Sequence, residues 1–145
     1  SNDFAYPMDS LQKSYRSLKA PHTLCVRLRM AHGHGPAGEN PREIQIFADH
    51  FTRGGKPLPE FTSLKREGRK VTATFSNGPC TVVKAELNYT QDSGNWKERK
   101  WVAEPVAVNA CSGAVSADIP AAATVFYLNL FTEDELVVSS EHEVL

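Results

Sequence analysis

Four of the five histidines of this 145-residue chain, His22, His32, His34 and His50, fall in its first third. Two of them share a glycine-rich loop within RMAHGHGPAGENPREIQIFADHF, residues 29–51. That pattern suits proton transfer. A histidine acting as general base needs room for a substrate and freedom to turn its ring, and flanking glycines supply both. It also needs a carboxylate that fixes its tautomer and stabilises the imidazolium formed as the proton moves. The opening stretch SNDFAYP offers one in Asp3, ahead of an X-Pro turn. His34 is the candidate base and Asp3 the candidate orienting acid. His32, in the same loop, is the alternative base, and otherwise a turn residue. A metal held by His32 and His34 would need a third ligand such as Asp3 or Glu39, so the expectation is neither metal nor cofactor. The plainer readings are a loop histidine without chemistry and a carboxylate that merely starts a helix.

The elements that must position these groups are legible on both sides of the loop. Asp9 with Gln12 three residues on reads as a capping box, and Leu11, Tyr15 and Leu18 then share one helical face. Ala20-Pro21 ends that helix. In TLCVRLRM, Leu24, Val26, Leu28 and Met30 alternate with Cys25, Arg27 and Arg29, which predicts an edge strand with two solvated arginines. After the histidine loop, Asn40 is the expected cap of a second helix, Pro41 its first residue and Glu43 its capping-box glutamate. Ile44, Phe47, Ala48 and Phe51 would form its buried stripe, and Gly54 its stop.

The pattern changes at Gly54-Gly55-Lys56-Pro57-Leu58-Pro59, a helix stop followed by a stiff connection. Residues 1–55 thus read as one unit, 56–59 as a linker and 60–145 as a second unit. Strands are expected near 61–66, 70–75, 80–90, 97–102, 105–109, 113–119, 122–131 and 135–141. Such even spacing reads as an immunoglobulin-like β-sandwich, which makes the chain α+β. In TVFYLNLF, Val125, Tyr127 and Asn129 face one way and Phe126, Leu128 and Leu130 the other.

Sixteen basic against seventeen acidic side chains give a net charge of −1, so no electrostatic footprint points to nucleic acid. The longest apolar runs, such as 121–130, are too short to cross a membrane. No signal-peptide pattern opens the chain. Cys25, Cys80 and Cys111 lack metal-like spacing. A Cys80–Cys111 disulfide is one reading, and buried free thiols are the commoner one. Trp96 and Trp101 are candidates for stacking on a sugar ring, with buried sandwich aromatics as the commoner alternative.

The order acid in a loop, helix, edge strand, Gly-flanked histidine, helix resembles the last segment of an α/β-hydrolase, whose triad runs Ser, Asp, His along the chain. Ser1-Asn2-Asp3 is similar to the end of that family's Gly-X-X-Asp acid motif, and Gly33-His34-Gly35 to its histidine motif. NDFAYPMDSLQKSY and MAHGHGPAGENPREI…FADHF most resemble bacterial acetyl xylan esterases and acyl-peptidase-like hydrolases. Some of these carry a β-sandwich behind a GGKPLP-like linker, and FYLNLFTEDELVVSSEH resembles its closing strands. The resemblance implies an ester hydrolase, secreted or periplasmic, acting on acetyl groups of plant polysaccharide or a similar acyl ester.

The departure is a missing nucleophile. No Gly-X-Ser-X-Gly elbow occurs; Ser10, Ser14 and Ser17 lie on the first helix and Ser63 in a strand. The chain therefore reads as the C-terminal portion of a hydrolase, with acid and base but no serine, and inactive alone. The other reading is a non-catalytic sandwich module that binds carbohydrate or packs on a catalytic domain. If the larger sheet is absent, Leu24, Val26, Leu28, Ile44, Phe47 and Phe51 need another partner. The sandwich, the missing catalytic segment or a second copy of the chain would supply it.

Overall fold

Period-two alternation builds nine strands in the computed structural model, which describes residues 1–32, 35–76 and 81–145. They are β1 (Glu60–Glu67), β2 (Lys70–Ser76), β3 (Val82–Thr90), β4 (Trp101–Val106), β5 (Val108–Asn109), β6 (Ala114–Asp118), β7 (Val125–Thr132), β8 (Val137–Ser139) and β9 (Glu143–Val144). One antiparallel sheet has the order β1-β2-β6-β5; the other has β4-β3-β7-β8, with β9 also against β7. The chain is mostly β in a sandwich-like arrangement. Three helices precede the strands: α1 (Met8–Arg16), the single turn α2 (Pro36–Glu39) and α3 (Arg42–Arg53).

Between the sheets lie Val71, Ala73 and Phe75 of β2, Leu87 of β3, Val115 of β6, and Phe126, Leu128 and Leu130 of β7. Each large apolar side chain so buried contributes about 1.5–3 kcal/mol. The two faces of β7 divide as its alternation requires. Val125 and Tyr127 point away from this core and pack with Met8, Val26 and Trp101, partly covered by Leu28 and Trp96. Residues 1–30 thus roof the outer face of the β3–β7 sheet, which is why β7 is buried on both sides. Gly113 permits a close approach here: its φ is +59°, and an added Cβ would collide with the Phe75 carbonyl oxygen.

Several expectations for the first 55 residues are corrected. Residues 23–30 do not form an edge strand. Leu24 makes an isolated antiparallel bridge to Ser139, and the chain then turns at Leu28–Arg29, with Arg29 at φ 57°. The three-residue β8 offers too short an edge for a ladder, and side chains replace it. The Val26 amide donates to Ser139 Oγ (2.7 Å), and the Asn129 amide group donates to the Val26 carbonyl (3.2 Å). Only Val26 of the expected apolar face is fully buried. Leu24, Leu28 and Met30 are half-buried, as are Cys25 and Arg27, so the alternation does not separate inside from outside. Arg27 pairs with buried Glu43 rather than facing solvent.

The two longer helices bury their expected faces only in part, with Tyr15 and Phe47 turned inward as expected. In α1 the buried residues are Met8 and Tyr15, whereas Leu11, and Leu18 just past the helix, are exposed. Asp9 lies inside the first turn, Pro7 occupies the cap position and no side chain caps the helix. In α3, Ile46 and Phe47 pack on Leu58, Leu136 and Val138, while Ile44, Ala48 and Phe51 face outward. Pro41, not Asn40, precedes the first helical residue, and Glu43 is buried rather than capping. The stop at Gly54 is as expected, with a left-handed φ of 67°. Part of the expected 97–102 strand is a 3-10 turn over Trp96–Glu98, whose first amides are served by Asn95.

Candidate functional site

Asp3 and His32, 29 residues apart in sequence, meet at a partly exposed position on the surface. Nδ1 of His32 lies 3.1 Å from each carboxylate oxygen. For that contact Nδ1 must carry a proton and donate it; in the neutral ring Nε2 is then the acceptor nitrogen. The carboxylate is itself fixed: Asp3 Oδ1 accepts the amides of Ala5 (2.7 Å) and Tyr6 (3.0 Å) in the turn that leads into α1. Partial burial raises the Asp3 pKa. The Tyr6 amide, the His32 ring and the Ala5 amide together outweigh that and hold it below its ordinary value. Two aromatic rings stand beside the imidazole. Phe4 meets it edge-on at 4.9 Å and Tyr6 at 6.0 Å, and both rings are exposed, at 66% and 70%.

The backbone brings the two groups together through a short set of bonds that the sequence alone does not announce. The Asn2 amide nitrogen donates to the Met30 carbonyl (3.0 Å), joining the strand of chain before Asp3 to that before His32. The Asn2 side-chain nitrogen donates to the carbonyls of Lys97 (3.0 Å) and Arg99 (2.8 Å). Arg29 donates through Nη2 and Nε to the Trp101 carbonyl at 2.8 and 3.3 Å, and its own amide donates to Ser1 Oγ at 2.7 Å. The only sequence signal for Asn2 and Arg29 was their nearness to the candidate acid and bases.

His34, the candidate base, lies outside the described residues; it is His32 that is seen paired with Asp3. Glu39 is exposed on α2, and among the described residues no three histidine, cysteine or acidic side chains gather to hold a metal.

The candidate sugar-stacking residues are placed otherwise. Trp101 is 2% exposed, edge-on to Tyr127 at 5.4 Å, because β4 turns it toward the roof formed by residues 1–30. Trp96 is half-buried against His142, and the Arg99 guanidinium covers its ring at 3.7 Å. Tyr89 lies in the sandwich core with its hydroxyl donating to Glu104 (2.7 Å). Neither tryptophan presents a flat open platform.

Nucleophile chemistry finds little support in the described serines and cysteines. The Ser14 and Ser17 hydroxyls donate to helix carbonyls, Ser63 bonds Thr74, and Ser139 and Ser140 bond within the β7–β8 region. Burial, reinforced by Glu43, pushes the Cys25 thiol up to about 11, which keeps it protonated and unreactive. Cys111 is an exposed free thiol, so the disulfide reading for Cys111 is corrected; Cys80 lies outside the described residues. No protein-family model, no curated protein and no solved structure matches the chain.

Proposed function

We propose that this chain supplies the acid and the base of a serine-type ester hydrolase, and that the serine belongs to a segment outside it. The contact of Asp3 with His32 Nδ1 at 3.1 Å is the observation that carries this reading. In the reaction, His32 Nε2 takes the proton of the serine hydroxyl as its oxygen attacks the ester carbonyl. It returns that proton to the departing alcohol, and water then releases the acyl group by the same route. Asp3 holds the ring and balances the imidazolium charge. The substrate class is a carbohydrate acetyl ester, an expectation that rests on the resemblance of NDFAYPMDSLQKSY and its neighbours to acetyl xylan esterases. His34 remains the alternative base.

Two features of the fold support the reading. Of the apolar stripes that should lie on a parallel sheet, Leu11 of α1, Leu18 just past it, and Ile44, Ala48 and Phe51 of α3 face outward, whereas Tyr15 and Phe47 turn inward. Helices that had evolved only to dock on this sandwich would have no use for the outward ones. The strand orders β1-β2-β6-β5 and β4-β3-β7-β8 also match the A-B-E-D and C′-C-F-G sheets of an immunoglobulin-like sandwich. The accessory-module reading, with glycan binding at Trp96 or Trp101, has no such support.

The test is to express the whole reading frame that encodes this chain and treat the product with a serine-directed fluorophosphonate. An upstream serine should be labelled, and His32→Ala should abolish labelling and acetyl-ester hydrolysis. Asp3→Asn should lower kcat by about 10⁴-fold. Loss with His34→Ala alone would move the base to that residue. A product without a reactive serine would overturn the proposal.

A further inference from the structure

The residues flanking the dyad are tied to the sandwich, not only to each other. Asn2, next to Asp3, reaches the carbonyls of Lys97 and Arg99, and Arg29, three residues before His32, reaches that of Trp101. All three carbonyls belong to one short stretch running from the end of the β3–β4 connection into the first residue of β4. That stretch is braced from within: the Lys100 amide donates to Asp92 (2.6 Å), and Arg99 donates to the Gly94 carbonyl (2.9 Å). Arg29 also holds a left-handed backbone at φ 57°, a conformation that costs a non-glycine residue free energy and persists where its surroundings impose it. Here the fork to Trp101 and the bond from its amide to Ser1 Oγ impose it.

We infer that Asn2 and Arg29 are positioning residues, through which the β3–β4 connection of the sandwich sets the distance and ring orientation of the Asp3–His32 dyad. The inference rests on the proposed role of that dyad. It makes the sandwich part of the catalytic apparatus and not an appended binding module. Two donors on the acid's side and a guanidinium fork on the base's side meet one rigid run of carbonyls. The neighbouring bonds from Asn2 and Ser1 to the carbonyls of Met30 and Arg27 join the two loops to each other and not to the sandwich.

The readout is the tautomer of His32 in the ¹⁵N-labelled chain, taken from long-range ¹H–¹⁵N spectra at about pH 8.5, above the ordinary histidine range. The unsubstituted chain should show His32 protonated at Nδ1. Asn2→Ala and Arg29→Ala should each lose that signal in favour of the Nε2–H form, with β3 and β7 amide shifts unchanged. Arg29→Lys, which keeps the charge and loses the fork, serves if Arg29→Ala unfolds. Gln12→Ala is the control, because Gln12 ties α1 to the His142 carbonyl (2.9 Å) away from the dyad. It should lower stability and leave the tautomer alone. If the unsubstituted chain lacks the Nδ1–H form, the dyad itself falls and the proposed function with it. If that form is present but survives both anchor substitutions, or is lost equally in Gln12→Ala, the positioning role is overturned while the dyad stands.

Discussion

Glu43 and Arg27 form an ion pair at 2.8 Å in which the carboxylate is 4% exposed and the guanidinium stem about a third. The same oxygen, Glu43 Oε1, accepts the Val137 amide at 2.9 Å. One buried carboxylate therefore joins α3, the 23–30 segment and the first residue of β8. Removing it strands a cation and a buried amide together. Glu43→Ala should cost about 1.5–3 kcal/mol, the range for a hydrogen bond to a charged group. Urea unfolding measures this, and a loss below about 0.5 kcal/mol, typical of surface sites, would remove Glu43 from that role.

Asp3 should shape the acid limb of the stability curve. Its carboxyl is held below the ordinary value of 3.8, so the folded state binds its proton less readily than the unfolded chain. The stabilisation is therefore complete above that value and disappears as the pH falls through the folded pKa. Asp3→Asn should flatten the decline below pH 3.8 and leave the slope near neutrality alone. Urea midpoints recorded across the acid range test it; an unaltered acid limb would mean that the carboxylate gains nothing from its amides and His32.

His142 should act earlier, at milder acidity. It is 4% exposed, and burial, followed by the repulsion of Arg16, lowers its pKa below 6.5; Asp9 and Glu141 pull the other way and Arg99 adds to the lowering. The folded state keeps it neutral at a pH where the unfolded chain protonates it. The unfolded state then binds more protons, so stability falls as the pH drops below 6.5, until the folded pKa is passed. His142→Gln should remove that slope while retaining the Asp3 contribution at lower pH. The same urea series resolves the two steps.

The β half of the fold was legible because alternation leaves little choice. Val125, Tyr127 and Asn129 against Phe126, Leu128 and Leu130 separates the two faces of β7 by period alone. The helices were harder to read. Glu43 and His50 point inward because specific partners await them, the Arg27 guanidinium for one and the Gly55 carbonyl (2.8 Å) for the other. Periodicity alone ranks such residues as solvent-facing. At the candidate site, the sequence singles out Asp3 by its place ahead of an X-Pro turn. The contact of His32 with Asp3 is not legible there, because it depends on a turn at Arg29 that the apolar alternation of 23–30 conceals, and His34 lies outside the described residues.

The outward stripe of α3 gives the sharpest contrast. Ile44 and Phe51 are 66% and 57% exposed, while Leu136, beneath Ile46 and Phe47, is 2% exposed; Phe47 borders the stripe, its ring 4.9 Å from that of Phe51. In this chain alone, Ile44→Ser and Phe51→Ser should change stability by no more than about 0.5 kcal/mol. Leu136→Ala should cost about 2–5 kcal/mol through lost burial and the cavity it leaves. If the stripe is the seat of the catalytic segment, Ile44→Ser and Phe51→Ser should become destabilising in the full reading-frame product. Equal insensitivity in both proteins would show that nothing covers the stripe, and would withdraw its support for a hydrolase segment seated there.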